Sequence, residues 1–420
     1  MSWQTHFAER FGRAFTRRQP RTIGREAEHP IVTSDGHAAD IGVLWSDLAA
    51  GMEVQREGDI IVGLTGPDYT YASEVGRGTL EIITEPRPDL HALNATYETA
   101  LARVVEVADR HQLAVLGYGI QPLTPPSLAL QTPKQRYGVL LEVLGDPWLW
   151  FTLTASDQIH VTVDRDELMP LTNLANLLAP VTVALCANSP IHSGLDSGFA
   201  SAREGQMGEI HAEQSRHGMP EAPSADLEAW IRRLSAQRFL IDKRQGIAFA
   251  RTGSFDDWMA TRRSDDDAWK AFLLHEHYIW NSARPRSTHG TLELRAAGQQ
   301  PFQSHWAAAA LGLGMVEAGV DIARWIDDRL GDDAWPVLRG WHENVIRDGY
   351  CEPMDGFIEG VLERCRHGLK RRALGEEDLL APLFDRAARR RNPAADAREA
   401  FETGGVAGLV AETRIPLDGA

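Results

Sequence analysis

The chain has 420 residues, 43% of them hydrophobic, and its 43 Lys and Arg stand against 59 Asp and Glu, a formal charge of −16. That balance argues against nucleic acid as a partner, because a phosphate backbone calls for a basic surface, yet it allows a polyphosphate ligand if divalent cations screen the contact. The three cysteines, Cys186, Cys351 and Cys365, include no CxxC pair, so neither a disulfide framework nor a zinc site is expected and all three read as packing residues in a reducing compartment.

The opening segment MSWQTHFAERFGRAF is amphipathic and lacks the apolar run and small-residue cleavage site of a signal peptide, and residues 3–18 read as a helix. No run of about eighteen apolar residues follows anywhere, so no membrane span is expected and the chain reads as soluble and cytoplasmic. Residues 22–32 (TIGREAEHPIV) read as a strand that puts Glu26 and Glu28 on one face. A Gly-rich passage, 58–78, leads into a second strand, 79–85 (TLEIITE). Glu81 and Glu85 share one of its faces, Leu80 and Ile82 the other, and the prolines that follow end it. Residues 90–112 have helical spacing of Leu and Val; a short strand at 114–119, a Pro- and Thr-rich loop at 122–133 and a helix at 137–144 come next.

The third strand, 158–164 (QIHVTVD), sets His160 beside Gln158, Thr162 and Asp164, with Ile159, Val161 and Val163 opposite. Residues 167–187 read as an apolar helix. The polar, Gly-rich stretch 188–220 is long for a plain connector, and such loops in compact domains are often functional. HEH at 275–277 does not complete an HExxH zinc motif and reads as ordinary helix residues. The fourth strand, 291–296 (TLELRA), carries Glu293 on the face of Thr291 and Arg295, with Leu292 and Leu294 behind. Helical spacing then dominates at 304–330, 334–347, 356–370 and 376–391, and the basic runs 370–372 and 386–391 read as solvated helix faces. The length would allow two or three domains, but with no low-complexity linker or internal repeat the expectation is one catalytic domain over 1–420, its 304–420 part mainly helical.

Taken alone, each polar strand face is an ordinary solvated surface, the Glu293 and Arg295 pair a surface ion pair, and His160 a satisfied core histidine. Four such strands together would repel one another unless cations sat between them, which points to a magnesium–nucleotide site. Neither a GxxxxGK[ST] loop nor a GxGxxG turn after a strand occurs, so the nucleotide is expected on a sheet rather than in a P-loop or Rossmann crevice.

In order along the chain, IGREAEHP, SEVGRGTLEI, SDQIHVTVD, ANSPIHSGLDSGFASAR and GTLELRAAGQQP, with ALGEEDLLAPL in the helical tail, resemble the glutamate–cysteine ligases of the plant and bacterial type, within the carboxylate–amine ligases. The resemblance implies an α+β fold like the catalytic domain of glutamine synthetase: a curved antiparallel sheet forming a funnel backed by helices, with a helical C-terminal region, and Mg2+ and ATP inside. Position by position it implies metal ligation by Glu26, Glu28, Glu74, Glu81, His160 and Glu293. It also implies a catalytic role for Glu293 and for Arg295, which would contact transferred phosphate, and a substrate-loop role for Arg203. Glu74 and Glu81 lie seven apart where the plant pattern has six, and Gly76 and Gly78 between them could form a bulge that restores the facing. The residues flanking Arg295 depart from the plant pattern, which leaves the acceptor open.

The implied reaction joins the side-chain carboxylate of glutamate to an amine, foremost cysteine, through an acyl phosphate with release of ADP and phosphate, a step of glutathione biosynthesis. Glu85 and His160 are the candidate bases for amine attack. The partners expected are small molecules, with neither nucleic acid nor membrane. Three alternatives stand beside it: a ligase of the same family with another amine or carboxylate, a metal-dependent phosphotransferase on the same sheet, and a non-catalytic nucleotide-binding protein. Retention of Glu26, Glu28, Glu81, Glu293 and Arg295 in one chain argues against the last.

Overall fold

The computed structural model describes residues 2–16, 21–210, 216–261 and 265–417. Among the described residues the largest sheet has nine strands, every pairing antiparallel. From one edge the order is Ala283–Arg286, Thr291–Leu294, Asp157–Thr162, Ile23–Val32, Thr79–Thr84, Tyr69–Ser73, Ile60–Thr65 and Glu53–Glu57, with Ala114–Val115 also paired to the end of Ile23–Val32. The four strands expected from sequence are thus adjacent at the centre, in a register that sets Glu28 opposite Glu81, Glu26 opposite Gln158 and Glu293 opposite His160.

Alternation explains why one face stays polar. Ala27, Leu80 and Ile82 point backwards, fully buried with Tyr97, Leu101 and Val104 of the helix Leu90–Arg110. That helix repeats its apolar residues at spacings of three and four, and it starts where the Asp89 side chain accepts a hydrogen bond from the Ala92 amide at 2.7 Å. Ile159, Val161 and Leu292 point back into a second, larger core with the helix Ala307–Glu317, whose Gly312 faces Ile159. Burial of these apolar faces drives the packing and leaves the carboxylate face free for a site.

Several sequence expectations need correction. The leading helix is Trp3–Gly12, shorter than 3–18, and residues 17 and 18 lie outside the described residues. The Gly-rich 58–78 passage is strand: Ile60–Thr65 and Tyr69–Ser73 extend the sheet, their Ile, Thr and Tyr outweighing the glycines. The strand at 114–119 is only Ala114–Val115. The 167–187 helix is two, Arg165–Leu177 and Ala179–Cys186. The first is opened by a capping box between Asp164 and Glu167, so Asp164 starts a helix and is not part of the polar sheet face. Within 188–220 lie the helix Ala202–Ile210 and the two-residue strands Ile191–His192 and Leu195–Asp196; residues 211–215 are outside the described residues. The 304–330 segment divides into Ala307–Glu317 and Gly319–Leu330.

The basic runs are not wholly solvated. Arg372 binds Glu376 at 2.5 Å and Glu317 at 2.9 Å, and Arg386 is buried, donating to the Leu185 carbonyl, Gln300 and Ser304. Cys186 and Cys365 are buried and Cys351 half-buried, all three free thiols. Among the described residues no single helix is long and apolar enough to cross a membrane.

Candidate active site

The polar face of the sheet forms the floor of a cavity of about 270 Å³. Glu26, Glu28 and Glu81 reach it from adjacent strands, and Glu74 joins them by a route other than the expected bulge. Tyr69–Ser73 and Thr79–Thr84 are a hairpin in which Ala72 faces Glu81, so Glu74, two residues beyond Ala72, returns to the same face from the neighbouring strand. The turn is close: a Cβ on Gly76 would lie 2.0 Å from the Thr152 carbonyl oxygen, so only glycine lets the two segments meet.

Glu28, Glu74 and Glu81 each bring a carboxylate oxygen within 4.8 Å of the others. Glu28 is held in place by the Ser156 amide at 2.6 Å and the Gln158 side-chain amide at 2.9 Å. Among the described residues none lies within ion-pair distance of these three carboxylates. Burial, then the neighbouring charge of Glu74, pushes Glu28 up to about 7. Burial together with Glu74, Glu26 and Glu28 pushes Glu81 well above the usual carboxylate range. Three crowded, underpaired carboxylates suit a hard divalent cation, which takes oxygen ligands and lowers the repulsion.

A second set, Glu26, His160 and Glu293, has ligand atoms equally close. His160 accepts or donates through Nδ1 to Thr291 Oγ1 at 3.1 Å, while its buried Nε2 lies 3.1 Å from Glu26 yet makes no hydrogen bond. A ring nitrogen 3.1 Å from one carboxylate and close to a second fits a metal ligand. Burial pushes Glu26 up, but His160 outweighs it and holds the carboxyl below its usual value. Glu293 differs from the triad. Arg284 grips it bidentately at 2.9 and 3.0 Å, Arg286 lies 3.3 Å away and Arg295 is also bonded to it. Burial is outweighed by Arg284, Arg295 and Arg286, which hold Glu293 well below the carboxylate range.

Arg295 also bonds Gln158, the residue that fixes Glu28, so the sequence-expected arginine links the two carboxylate sets. Arg203, in the first turn of Ala202–Ile210, lines the cavity in an ion pair with Glu204. Glu85 is not brought to the site: it is exposed beyond the end of its strand, its amide bonded to the Asp68 carbonyl at 2.9 Å. His277, expected to be an ordinary helix residue, lines the cavity, and burial beside Arg286 and Arg284 pushes its pKa well below the usual histidine value, so it is neutral at pH 7. Its neighbour Glu276 is buried and pairs with Arg286 at 3.1 Å.

Sequence reading missed Arg284 and Arg286, although ARPR alternates as clearly as REAE does, and it missed the cavity wall. Tyr137, Trp148, Phe151, Tyr278 and Trp280 form that wall, with Phe151 centred 4.8 Å from both tryptophan rings. Arg136, next to Tyr137, completes the lining.

A model of the family described as glutamate–cysteine ligase family 2 matches residues 22–400, which contain every residue of the cavity. The glutamate–cysteine ligase of Natronomonas pharaonis is 28% identical over 299 residues, 67% of this chain and 72% of the relative. Among solved structures, a bifunctional glutathione synthetase from Pasteurella multocida aligns with TM-score 0.61 at 15% identity over 98% of this chain, which spans 54% of that longer protein. The glutamate–cysteine ligase of Francisella tularensis in complex with AMP aligns with TM-score 0.57 at 11% identity, covering 96% of this chain and 88% of that one. The two structures share the fold of mixed helices around an antiparallel sheet. With the family match running through all four carboxylate-bearing strands, the chain belongs to glutamate–cysteine ligase family 2 and is an enzyme of the ligase class.

Proposed function

We propose that this chain is an ATP-dependent ligase that joins the side-chain carboxylate of glutamate to an amine, with cysteine the amine its relatives' names favour. The observation that carries the reading is the juxtaposition, inside one cavity, of a carboxylate triad without an ion-pair partner among the described residues and an arginine-clamped carboxylate on the same sheet face. The first suits metal-bound polyphosphate and the second presents guanidinium to the group being transferred.

A carboxylate and an amine do not form an amide in water without activation. Phosphoryl transfer from ATP to the glutamate side chain gives an acyl phosphate and ADP; the amine then attacks the acyl carbon, loses a proton and expels phosphate. Glu28, Glu74 and Glu81 would hold one Mg2+, and Glu26 and His160 with Glu293 a second. Bound Mg2+ supplies positive charge between the anionic phosphate and the anionic carboxylate. Ser156 and Gln158 orient Glu28, and Arg284 and Arg286 keep Glu293 ionised. Arg295 is oriented by Glu293 and Gln158 so that its guanidinium meets the charge developing on the transferred phosphoryl group. The aromatic wall shields an acyl phosphate from water, which would otherwise hydrolyse it. Glu85 lies too far out to serve as the base. Residues 1–420 are read as one catalytic domain, its 304–420 part helical, in a cytoplasmic enzyme of glutathione biosynthesis.

The test is mass spectrometry of products after incubation with Mg2+, ATP, glutamate and a mixture of amines. A γ-glutamyl amide of cysteine with stoichiometric ADP and phosphate is expected. A different amide would replace the acceptor, and ATP consumption without any amide would move the case to phosphotransfer.

A further inference from the structure

Among the described residues five arginines line the cavity, and four are already neutralised: Arg203 by Glu204, Arg284 and Arg295 by Glu293, and Arg286 by Glu276 and Glu293. Arg136 is the exception among the described residues. Its only polar side-chain contact is a 3.2 Å hydrogen bond to the Tyr137 hydroxyl, and its guanidinium lies 5.0 Å from the centre of the Tyr137 ring. It sits in the first turn of Gln135–Leu144, whose leading Gln135 amide is already bonded to Glu57 at 2.7 Å, and within electrostatic reach of Glu74.

A cavity that desolvates anionic ligands must compensate each anion it takes in. On the proposed reaction, the polyphosphate is served by metal at the triad and by Arg295, and the reacting carboxylate must lie against the same phosphate. The carboxylate that does not react is left without a partner. A donor lying across the triad passes beside Glu74, where Lys134 is buried with its ammonium on the Ser73 carbonyl and, among the described residues, the cavity-lining cation without a carboxylate partner is Arg136. We infer that Arg136 binds the α-carboxylate of the glutamate donor, and so determines that the donor is an α-amino acid carrying a second, reacting carboxylate. Its planar fork suits bidentate carboxylate binding. Arg136 reaches the cavity from the helix side, packed on Tyr137, so it is set by the aromatic wall and not by the sheet.

The inference rests on the proposed ligase reaction, and the experiment separates the two. ADP release by the wild-type protein is measured first with glutamate and with glutamate α-amide, and acceptor use with cysteine and with cysteamine, which lacks the carboxylate. Failure of the wild-type protein to use glutamate would overturn the reaction and this assignment with it. If the reaction stands, Arg136→Gln is expected to raise the glutamate KM about tenfold or more, with the KM for ATP changed by less than about twofold, and to erase the preference for glutamate over its α-amide. Arg136→Lys, which keeps charge but not the fork, should restore part of that preference. An equal rise in the ATP KM, an unchanged glutamate KM, or loss of the cysteine preference over cysteamine in place of the glutamate one would each overturn the assignment. Arg136 is solvent-accessible in the cavity, so both variants are expected to fold, and thermal unfolding checks this.

Discussion

Two carboxylate clusters sit side by side on one sheet face and solve the same electrostatic problem in opposite ways. Around Glu293 the chain supplies its own cations: Arg284, Arg286 and Arg295 surround a carboxylate that is itself buried, and its pKa falls. Around Glu28, Glu74 and Glu81 it supplies none within ion-pair distance among the described residues, and the pKa values of Glu28 and Glu81 rise. The first cluster carries counter-charge of its own before any ligand binds and contributes to the stability of the fold. The second is strained by repulsion, which a bound cation would relieve, so on the proposed reading its stability is deferred to the bound state. Substitution should therefore damage stability at one cluster and ligand response at the other.

The largest expected effect is on Glu293. Glu293→Gln leaves Arg284 buried beside an amide that cannot neutralise it, and breaking such a pair costs roughly 3 to 5 kcal/mol. Urea unfolding in EDTA should show that loss, whereas an unchanged midpoint would mean that the three arginines find other partners and that the cluster is not self-contained. Next comes Arg295→Lys. Lysine cannot hold a phosphoryl group through two parallel hydrogen bonds, so kcat should fall by the equivalent of about 2 to 4 kcal/mol of activation energy with little change in the KM for ATP. A change confined to ATP affinity would make Arg295 a ground-state contact.

Glu81→Gln sharpens the contrast. Removing one of three mutually repelling carboxylates should leave metal-free stability unchanged or raised by up to about 1 kcal/mol, because like charges in contact are destabilising. The stabilisation that Mg2+ and ATP give the wild-type protein should be lost, along with turnover. If instead Glu81→Gln destabilised the metal-free protein as Glu293→Gln does, the triad would be a structural network and not a cation site.

How far the sequence revealed this contrast depended on the range of the interactions involved. Period-two alternation is local, so Glu26, Glu28, Glu81, His160 and Glu293 could be assigned to one face from their own strands, and the register then brought them together. Glu74 was legible as a ligand but not its route, because a hairpin and a bulge leave similar glycine patterns between Glu74 and Glu81. Arg284 and Arg286 were hidden by Pro285, which reads as a strand breaker. The strand is at the sheet edge, where a missing amide hydrogen costs no ladder bond. Glu85 shows the opposite failure: alternation assigns it to the polar face, but the strand ends at Thr84 and the side chain turns to solvent. Arg136, Trp148 and Trp280 come from segments outside this sheet, and only tertiary packing puts them on the cavity wall. No local pattern carries that information.

The smallest expected effect is on pH dependence, and it distinguishes the clusters without any mutation. Glu28 is pushed from an ordinary value of 4.5 up to about 7, and Glu81 is raised as well, so between those values the folded protein keeps protons that the unfolded chain has released. Stability then falls as pH rises through this window. Glu26 and Glu293 are shifted downward, so their contribution is fully present above the ordinary carboxylate value and is lost only as pH falls through their lowered values in acid. In EDTA, unfolding free energy should therefore decline between about pH 5 and pH 7.5 from the triad alone. Saturating Mg2+ should remove the decline, since a cation replaces the protons, and its apparent affinity should increase over the same interval. Glu81→Gln should reduce the slope in EDTA to the part that Glu28 carries, while Arg295→Lys, acting on the compensated cluster, should leave it in place. A slope that persisted at saturating Mg2+ would mean that the titrating groups are not the ones the cation meets.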